Sequence, residues 1–285
     1  MTTFAKYDKI TLIMDIKRTM KIFDSHTHVF PDEIAEKATA GIGGFYEIPI
    51  FHSGTTDDLK LQLKDNGICG SMICSVATVL SQVKTINDFI ANAVTLSDGV
   101  FIGFCSLHPD MSQHEIDDEI ERAVSIGLSG IKLHPDFQRF KADGATAYKI
   151  YEVIGNRLPV LIHSGDNRYD FSSPKRIATA LKRFPDLTMI AAHLGGWSEW
   201  DDAALCLAGL ENVYVDTSSS LYAMSTDKAT EYIRTFGVQR VLFGTDYPMW
   251  DIKAELERFD KLNLSDSERE LILYQNASAL LNLKE

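Results

Sequence analysis

The sequence predicts an α/β protein folded as a (β/α)8 barrel, and three observations support this prediction. The composition, with 45% hydrophobic and 24% charged residues, is that of an ordinary globular protein. The length of 285 residues fits one such barrel, which usually takes about 250. Eight short apolar runs alternate with segments of helical spacing, as in a parallel sheet covered by helices. The runs are residues 21–24, 70–77, 100–107, 129–133, 159–162, 188–192, 213–216 and 241–244.

An open, doubly wound sheet is the structural alternative to the closed barrel. Such sheets usually carry a glycine-rich phosphate turn after the first strand. Here the first run continues into Asp24-Ser-His-Thr-His, which contains no glycine. The count of eight strand and helix units therefore favours the barrel.

Start signals mark several of the helices. Ser173 and Pro174 open one, because serine caps a helix N-terminus and proline fits the first turn. Thr56, followed by two aspartates, precedes another. Ser265 and Glu268 form a capping box ahead of an apolar stripe, so we expect a final helix packed on the outside of the barrel.

The domain organisation is expected to be simple. We find no internal repeat, low-complexity tract or linker, so residues 1–285 are interpreted as one barrel domain. Residues 1–19 precede the first strand and have two interpretations, an additional N-terminal hairpin or an upstream start of translation.

The charge and the cysteines narrow the class of protein. The net charge of −12 argues against nucleic acid or an anionic membrane as the main partner, since both reward clustered lysine and arginine. No apolar run approaches the roughly 18 residues that cross a bilayer, and the first 20 residues do not fit a signal peptide. The four cysteines form no CxxC pair and are expected to be reduced core residues. These features predict a cytoplasmic protein that acts on a small molecule and allow a homodimer.

The positions of the histidines predict a functional site. Six of the eight fall at or just after the carboxyl end of a predicted strand, the face where such barrels assemble their active sites. Because side chains alternate along a strand, His26 and His28 face the same side and can share one ion. The six are His26, His28, His108, His134, His163 and His193.

A late aspartate and two of these histidines strengthen a metal interpretation. His163, His193 and Asp246 each follow a run that should be buried. A polar or charged group there is costly unless it is paired or bound to a metal. Nitrogen and carboxylate ligands together suit zinc first, with manganese and iron as alternatives.

At this point the chain resembles the amidohydrolase superfamily, and within it the amidohydrolase-2 type that includes relatives of aminocarboxymuconate-semialdehyde decarboxylase. The resemblance extends from about Ile22 to Leu283 and is specific only as a set of motifs. The motifs are Phe23-Asp-Ser-His-Thr-His-Val-Phe-Pro, Gly130-Ile-Lys-Leu-His-Pro, Ile162-His163, Ala192-His-Leu-Gly-Gly, Phe243-Gly-Thr-Asp-Tyr-Pro and Asn276-Ala-Ser-Ala-Leu-Leu.

The resemblance implies a role for each matching residue. It implies metal ligation by His26, His28, His163 and Asp246, and a catalytic or water-orienting role for His193 in a mononuclear site. In binuclear relatives, His193 corresponds to a ligand of the second metal and Lys132 to a carboxylated lysine that bridges both. We favour one ion, with Lys132 contacting a substrate anion or forming an ion pair.

Further candidates surround this set. His134 shares a strand face with Lys132 and is interpreted either as a pocket residue or as a loop-shaping one. Arg139 and Arg168 suit a substrate carboxylate, and Trp197 and Trp250 suit the wall of a small-molecule pocket. Ordinary helix packing explains the tryptophans almost as well.

Three functions follow from this site. The first is hydrolysis of an amide, lactone or ester, in which a metal-activated water attacks the carbonyl carbon, Asp246 transfers protons and His193 orients the water or steadies the oxyanion. The second is decarboxylation of an unsaturated or aromatic carboxylic acid at the same metal. The third is a barrel that has lost catalysis, because fold does not guarantee function.

Overall fold

A computed structural model describes residues 20–283, which contain eight parallel strands joined by helices. The strands pair in sequence order, each with the next. They are β1 (Phe23–His28), β2 (Gly70–Cys74), β3 (Phe101–Ser106), β4 (Gly130–Leu133), β5 (Val160–Ile162), β6 (Met189–Ala191), β7 (Val213–Asp216) and β8 (Val241–Leu242). The first 19 residues, for which two interpretations were given, lie outside the described part.

Backbone hydrogen bonds close the sheet between its last and first strands. Ser25 donates its N–H to the carbonyl of Phe243 at 2.8 Å, and His28 donates to that of Tyr247 at 2.7 Å. Tyr247 also forms a parallel bridge with Thr27. The predicted (β/α)8 barrel is therefore confirmed.

The helices surround the strands, and their start signals are mostly where the sequence placed them. One begins at Pro174 after Ser173, and the capping box of Ser265 and Glu268 is formed. The helix that begins at Thr56 is capped one residue earlier than expected, by Thr55. The helices are α1 (Asp32–Tyr46), α2 (Thr56–Asp65), α3 (Val83–Thr95), α4 (Gln113–Ser125), α5 (Pro135–Gln138), α6 (Ala145–Ile154), α7 (Pro174–Arg183), α8 (Trp200–Leu207), α9 (Thr226–Phe236), α10 (Ile252–Asp260), α11 (Asp266–Glu270) and α12 (Asn276–Leu281), with a π-helical turn (Leu271–Gln275) between the last two and 3-10 turns at Leu80–Gln82 and Val238–Arg240.

The first strand differs most from its predicted bounds. It was predicted over residues 21–24, but β1 extends to His28, so both of its histidines lie within the strand. The pairing of β1 with β2 shifts register between Asp24 and Thr27, and the Thr27 hydroxyl donates to the carbonyl of Met72 at 2.8 Å. The strand predicted over residues 70–77 is shorter than expected and ends at Cys74.

Two hydrophobic clusters form the core. The larger lies between the strands and the helices, and includes Ile73, Ile131 and Val215. The smaller fills the inside of the barrel with Phe23, Phe104 and other side chains from alternate strand positions. Because apolar side chains fill the inside of the barrel, the polar residues lie at the carboxyl ends of the strands.

The final helix corrects one prediction, because it does not pack on the outside of the barrel. Ala277 and Leu281 belong to the cluster inside the barrel, together with Phe23. Asn276 donates its side-chain amide to the carbonyls of Val238 and Val241, at the start of β8, both at 2.7 Å. The helix therefore covers the end of the barrel opposite the site.

The cysteines are less uniformly buried than expected. All four are free, but Cys74 and Cys105 alone are fully buried, whereas Cys69 is exposed and Cys206 half-buried. Between residues 20 and 283, no helix has the length and hydropathy needed to span a membrane.

Replacing Gly130 with alanine is expected to lower the free energy of unfolding by about 1–3 kcal/mol, the usual cost of overpacking. A Cβ at Gly130 would lie 2.3 Å from Cζ of the buried Phe104 ring. In the matched variant Gly44→Ala, in α1, a Cβ meets no described atom within 4 Å, and alanine should stabilise that helix by about 0.5–1 kcal/mol. Denaturant unfolding measures both, and equal stability of the two variants would contradict the close packing of Phe104 on Gly130.

Candidate metal centre

Buried polar side chains line the mouth of the barrel at the carboxyl ends of its strands. His26 and Asp216 are fully buried, and His28, His163 and Asp246 expose 7% or less of their surface. Buried polar groups need partners. The hydrogen bonds among these residues therefore define which atoms are left to hold a ligand.

Asp216 fixes the tautomer of His26. Its Oδ2 lies 2.9 Å from His26 Nδ1, and because an ionised carboxylate only accepts, Nδ1 carries the proton. Burial and the charge of Lys132 lower the pKa of His26 to about 4, so the ring is neutral at pH 7. The lone pair of His26 Nε2 is thus directed into the barrel mouth.

His26, His28 and Asp246 form one compact group of ligand atoms. The two Nε2 atoms are 3.2 Å apart, and Asp246 Oδ1 lies 3.5 Å from that of His26 and 3.4 Å from that of His28. Within the described residues, Asp246 Oδ1 has no hydrogen-bond partner. The predicted common face of the two histidines is present, and an aspartate oxygen faces it.

The backbone and two side chains hold Asp246 against β1. Its N–H donates to the carbonyl of His26 at 2.8 Å, and its φ of 62° lies in the left-handed region. Such strain costs about 1–3 kcal/mol and is typical of functional sites. Ser219 donates its hydroxyl to Asp246 Oδ2 at 2.5 Å, and Trp250 Nε1 donates to Ser219 Oγ at 2.7 Å. Oδ1 is thereby the oxygen turned toward the histidines.

His163 and His193 are ordered by a second hydrogen-bond chain. Ser218 donates its hydroxyl to Asp216 Oδ1, and His193 Nδ1 lies 2.9 Å from Ser218 Oγ. His193 therefore carries its proton on Nδ1, and its Nε2 accepts from His163 Nδ1 at 3.1 Å. Burial lowers the pKa of both rings, so both are neutral at pH 7. In the described chain, His163 Nε2 is left without a partner.

The structure brings three of the four expected ligands together and places the fourth beside them. His163 is grouped instead with His134 and Asp136, whose Oδ2 is 3.7 Å from His163 Nε2. Within the described residues, Asp136 Oδ1 and His163 Nε2 of that group have no hydrogen-bond partner, but His134 Nδ1 accepts from the N–H of Phe137 at 3.3 Å. A third group, of His26, His193 and Asp216, is already joined by hydrogen bonds.

The converging ligand atoms fit a divalent metal ion. Two imidazoles with converging Nε2 atoms and an unpartnered carboxylate oxygen are ligands that zinc and other first-row ions take. The unpartnered Nε2 of His163 is a fourth donor at the same barrel mouth. The fit to a metal ion therefore depends on His26, His28 and Asp246, and His163 stays the predicted fourth ligand.

Lys132 lies at the same cluster. Its side chain, on β4, is 1% exposed, and its Nζ is 2.9 Å from His26 Nε2. The ammonium therefore donates to the lone pair that a metal would take. Its carboxylation and its contact with a substrate anion both stay predictions.

His134 combines the two roles proposed for it. Because its Nδ1 accepts from the N–H of Phe137, its proton is on Nε2, which lies 3.0 Å from the hydroxyl of Tyr46. Burial keeps the pKa of Tyr46 well above its usual value, so the hydroxyl keeps its proton. His134 thus shapes its loop and also holds Tyr46 in the cavity wall.

The two candidate arginines have different positions. Arg139 is exposed and lines the cavity above the histidines. Arg168 is not among the lining residues: its Nε and Nη2 donate to the carboxylate of Asp166 at 2.9 and 2.8 Å, and its Nη1 donates to the carbonyl of Phe45 at 2.7 Å. Arg168 was expected to contact the substrate, but the carboxylate of Asp166, two residues away, already pairs with its charge. Arg168 is therefore a positioning residue.

The tryptophans also differ in position, since two line the cavity and one does not. Trp197 and Trp250 line the cavity, as the sequence suggested. Trp200 begins α8 and donates its Nε1 to the carbonyl of His193 at 3.0 Å, which is a structural contact. His108, one of the six clustered histidines, is also structural, since its Nδ1 accepts from the N–H of Asp110 at 3.2 Å.

Sequence reasoning missed the residues that support the ligands. Asp216 was noted only as the end of a strand, although that position is the one signal that could have identified it. Ser218 and Ser219 follow in the same loop, and Tyr46 ends a helix far from any motif. Asp24 was also missed; its carboxylate accepts from the N–H and the hydroxyl of Thr245, at 3.0 and 2.6 Å, and fixes the turn before Asp246.

A family model described as amidohydrolase matches residues 23–283 of the chain. The chain belongs to the amidohydrolase family. This confirms the resemblance inferred from the motifs, and identifies the protein as an enzyme of a metal-dependent family. No curated protein matches the chain.

Solved structures share the amidohydrolase barrel at low sequence identity. 5-Carboxyvanillate decarboxylase from Sphingomonas paucimobilis is 14% identical with a TM-score of 0.71, over 93% of this chain and 100% of that one. A dihydroxybenzoic acid decarboxylase from a Polaromonas species, with bound manganese and the inhibitor 2-nitroresorcinol, is 18% identical with a TM-score of 0.70, over 94% and 98%. A probable 2-pyrone-4,6-dicarboxylic acid hydrolase from Acinetobacter baumannii, with bound citric acid, is 16% identical with a TM-score of 0.68, over 92% and 100%. At these identities, the likeness establishes the fold alone.

Proposed function

We propose that this amidohydrolase is a metal-dependent hydrolase of a carbonyl compound, an amide, a lactone or an ester. The observation that supports this most directly is the convergence of His26 Nε2, His28 Nε2 and the unpartnered Asp246 Oδ1. His163 is the proposed fourth ligand. Zinc is the proposed ion, with one ion per chain; manganese, which one structure of similar fold contains, is the alternative.

The residues around the ion would have different roles in hydrolysis. When bound, a divalent ion supplies Lewis acidity, which polarises a carbonyl and lowers the pKa of water from 15.7 toward about 7. Asp246 Oδ1 accepts the proton of the attacking water and returns it to the leaving group, since a carboxylate oxygen has more than one lone pair. His193 orients that water once its Nε2 exchanges the hydrogen bond from His163 Nδ1 for one from the water, while its Nδ1 proton stays committed to Ser218.

Decarboxylation of an unsaturated or aromatic carboxylic acid is the second candidate function. It is favoured by the mainly apolar cavity, of about 750 Å³, that opens above the ligands. Two of the three solved structures described above are aromatic acid decarboxylases. In this reaction Lys132 would neutralise the carboxylate, and the Tyr46 hydroxyl would be a hydrogen-bond donor to the ring substituents.

Metal analysis and a substrate panel test the proposal together. We expect about one equivalent of zinc or manganese per purified chain, and loss of both metal and activity after chelation. A panel of lactones, amides, esters and aromatic acids, scored separately for hydrolysis and for CO2 release, separates the two reactions. A protein that binds none of zinc, manganese or iron, and gains no thermal stability from them, would instead be the non-catalytic barrel.

A further inference from the structure

One face of helix α1 is apolar and yet is not used in the core. The buried residues of α1 are Ala35 and Thr39, on a different face. Its apolar positions recur at intervals of three and four, which places them on one side of a helix. The apolar residues of this face line the cavity above the metal ligands, together with Lys37 and Tyr46 of the same helix: Ile34, Ala38, Gly41, Ile42 and Phe45.

A second apolar wall faces this helix. It is formed where β1 and β2 end and by the first turns of α3, and its members include Phe30, Val76, Ile86 and Phe89, which are all half-buried. Ile86 and Phe89 also pack against the core, and the half-buried side chains of the two facing walls leave apolar surface that an apolar ligand can cover.

The apolar walls and the metal ligands share one cavity. His28, His163 and Asp246 line its inner end, and α1 lines the outer part. Its volume of about 750 Å³ equals that of about 25 water molecules at ~30 Å³ each. A carboxylate or ester group at the ligands would occupy a small part of it.

We propose that the substrate carries an extended apolar group, larger than a single aromatic ring, that lies along the apolar face of α1 while its carbonyl or carboxylate end is held at the ligands. This rests on the proposed function for the position of the reacting end. The occupant is a small molecule because the apolar walls are continuous with the buried donor atoms. Substrate length is then selected by α1.

Binding of straight-chain monocarboxylates, from butanoate to dodecanoate, tests this with the full chain loaded with zinc. Calorimetric titrations below the micelle concentration should show the affinity rising about fourfold for each added CH2, the factor that corresponds to ~0.8 kcal/mol. The rise should stop when the cavity is filled. Repeating the series after chelation should lower all affinities alike without changing the slope.

Two glycines of α1 provide a matched pair of variants. Cβ atoms at Gly41 and Gly44 meet no described atom within 4 Å, so both positions accept a side chain, but of the two Gly41 alone lines the cavity. Gly41→Leu should remove the gain in affinity for the longer acids and leave butanoate binding and metal content unchanged. Gly44→Leu should bind every acid of the series with the affinity of the wild type.

Two results would overturn the inference. One is a zinc-loaded protein whose affinity does not rise with chain length, whether or not butanoate binds. The other is a rise that Gly41→Leu leaves intact, which would locate the apolar group elsewhere. Failure of the proposed function gives a different result, namely no bound metal and no effect of chelation, with the slope still measurable.

Discussion

Replacing His26 with alanine is expected to weaken zinc binding by more than about 100-fold, beyond the 10–100-fold that changes outside the ligand set cost. His26 contributes the one Nε2 that lies within 3.5 Å of both His28 Nε2 and Asp246 Oδ1. Its loss removes one of the three clustered ligands and leaves only His28 Nε2 and Asp246 Oδ1, 3.4 Å apart. Equilibrium dialysis with metal analysis measures the change, and activity on any substrate found should fall in parallel.

His114→Ala is the matched control for this change. The side chain of His114 is 85% exposed, with Asp118 of its own helix as its partner, and it is far from the cavity lining. The variant should bind zinc as the wild type does. Equal zinc affinity of the His26→Ala and His114→Ala proteins would show that His26 is not a metal ligand.

Asp216→Asn is expected to weaken zinc binding by about 10–100-fold although Asp216 is not a proposed ligand. The carboxylate holds the proton of His26 on Nδ1 and so frees Nε2. An asparagine can present its NH2 group instead, and would then favour the tautomer with the proton on Nε2. Because the same carboxylate accepts from the N–H groups of His193 and Ser218, we also expect a loss of stability, of about 1–3 kcal/mol.

Nitrogen NMR of labelled histidine separates the positioning role of Asp216 from a merely structural one. In the metal-free wild type, the His26 signal should report a neutral ring protonated at Nδ1. In the Asp216→Asn protein, a folded chain with a substantial population protonated at Nε2 supports the account. A folded variant that keeps the Nδ1 tautomer and binds zinc normally would contradict it.

The barrel was predictable from the sequence because each of its strands is a short run that is buried on both faces. Such runs are apolar throughout and stand out against the amphipathic helices. The convergence of the histidines followed from the fold alone, since strand ends meet at one face. The extension of β1 to His28 was not predictable in this way, because polar residues inside a barrel mouth look like the end of a strand.

The predictions that were wrong or missing concern contacts between residues that are distant in the sequence. The last helix carries an apolar stripe that fits the outside of a barrel or its closed end equally well, and only the packing of Ala277 and Leu281 on Phe23 decides between them. The pairing of Arg168 with Asp166 is local, but Arg168 Nη1 also donates to the carbonyl of Phe45, more than a hundred residues earlier. Asp216 has no motif around it, and its function depends on its distance from His26.

The central claim is that a single divalent ion binds at His26, His28 and Asp246. A crystal of the zinc-loaded protein, measured at the zinc absorption edge, tests it most directly. The account predicts one anomalous peak, with His26 Nε2, His28 Nε2 and Asp246 Oδ1 at about 2.0–2.2 Å, and His163 as the fourth protein ligand. A peak at His134 and Asp136 instead, or no peak at saturating zinc, would contradict it.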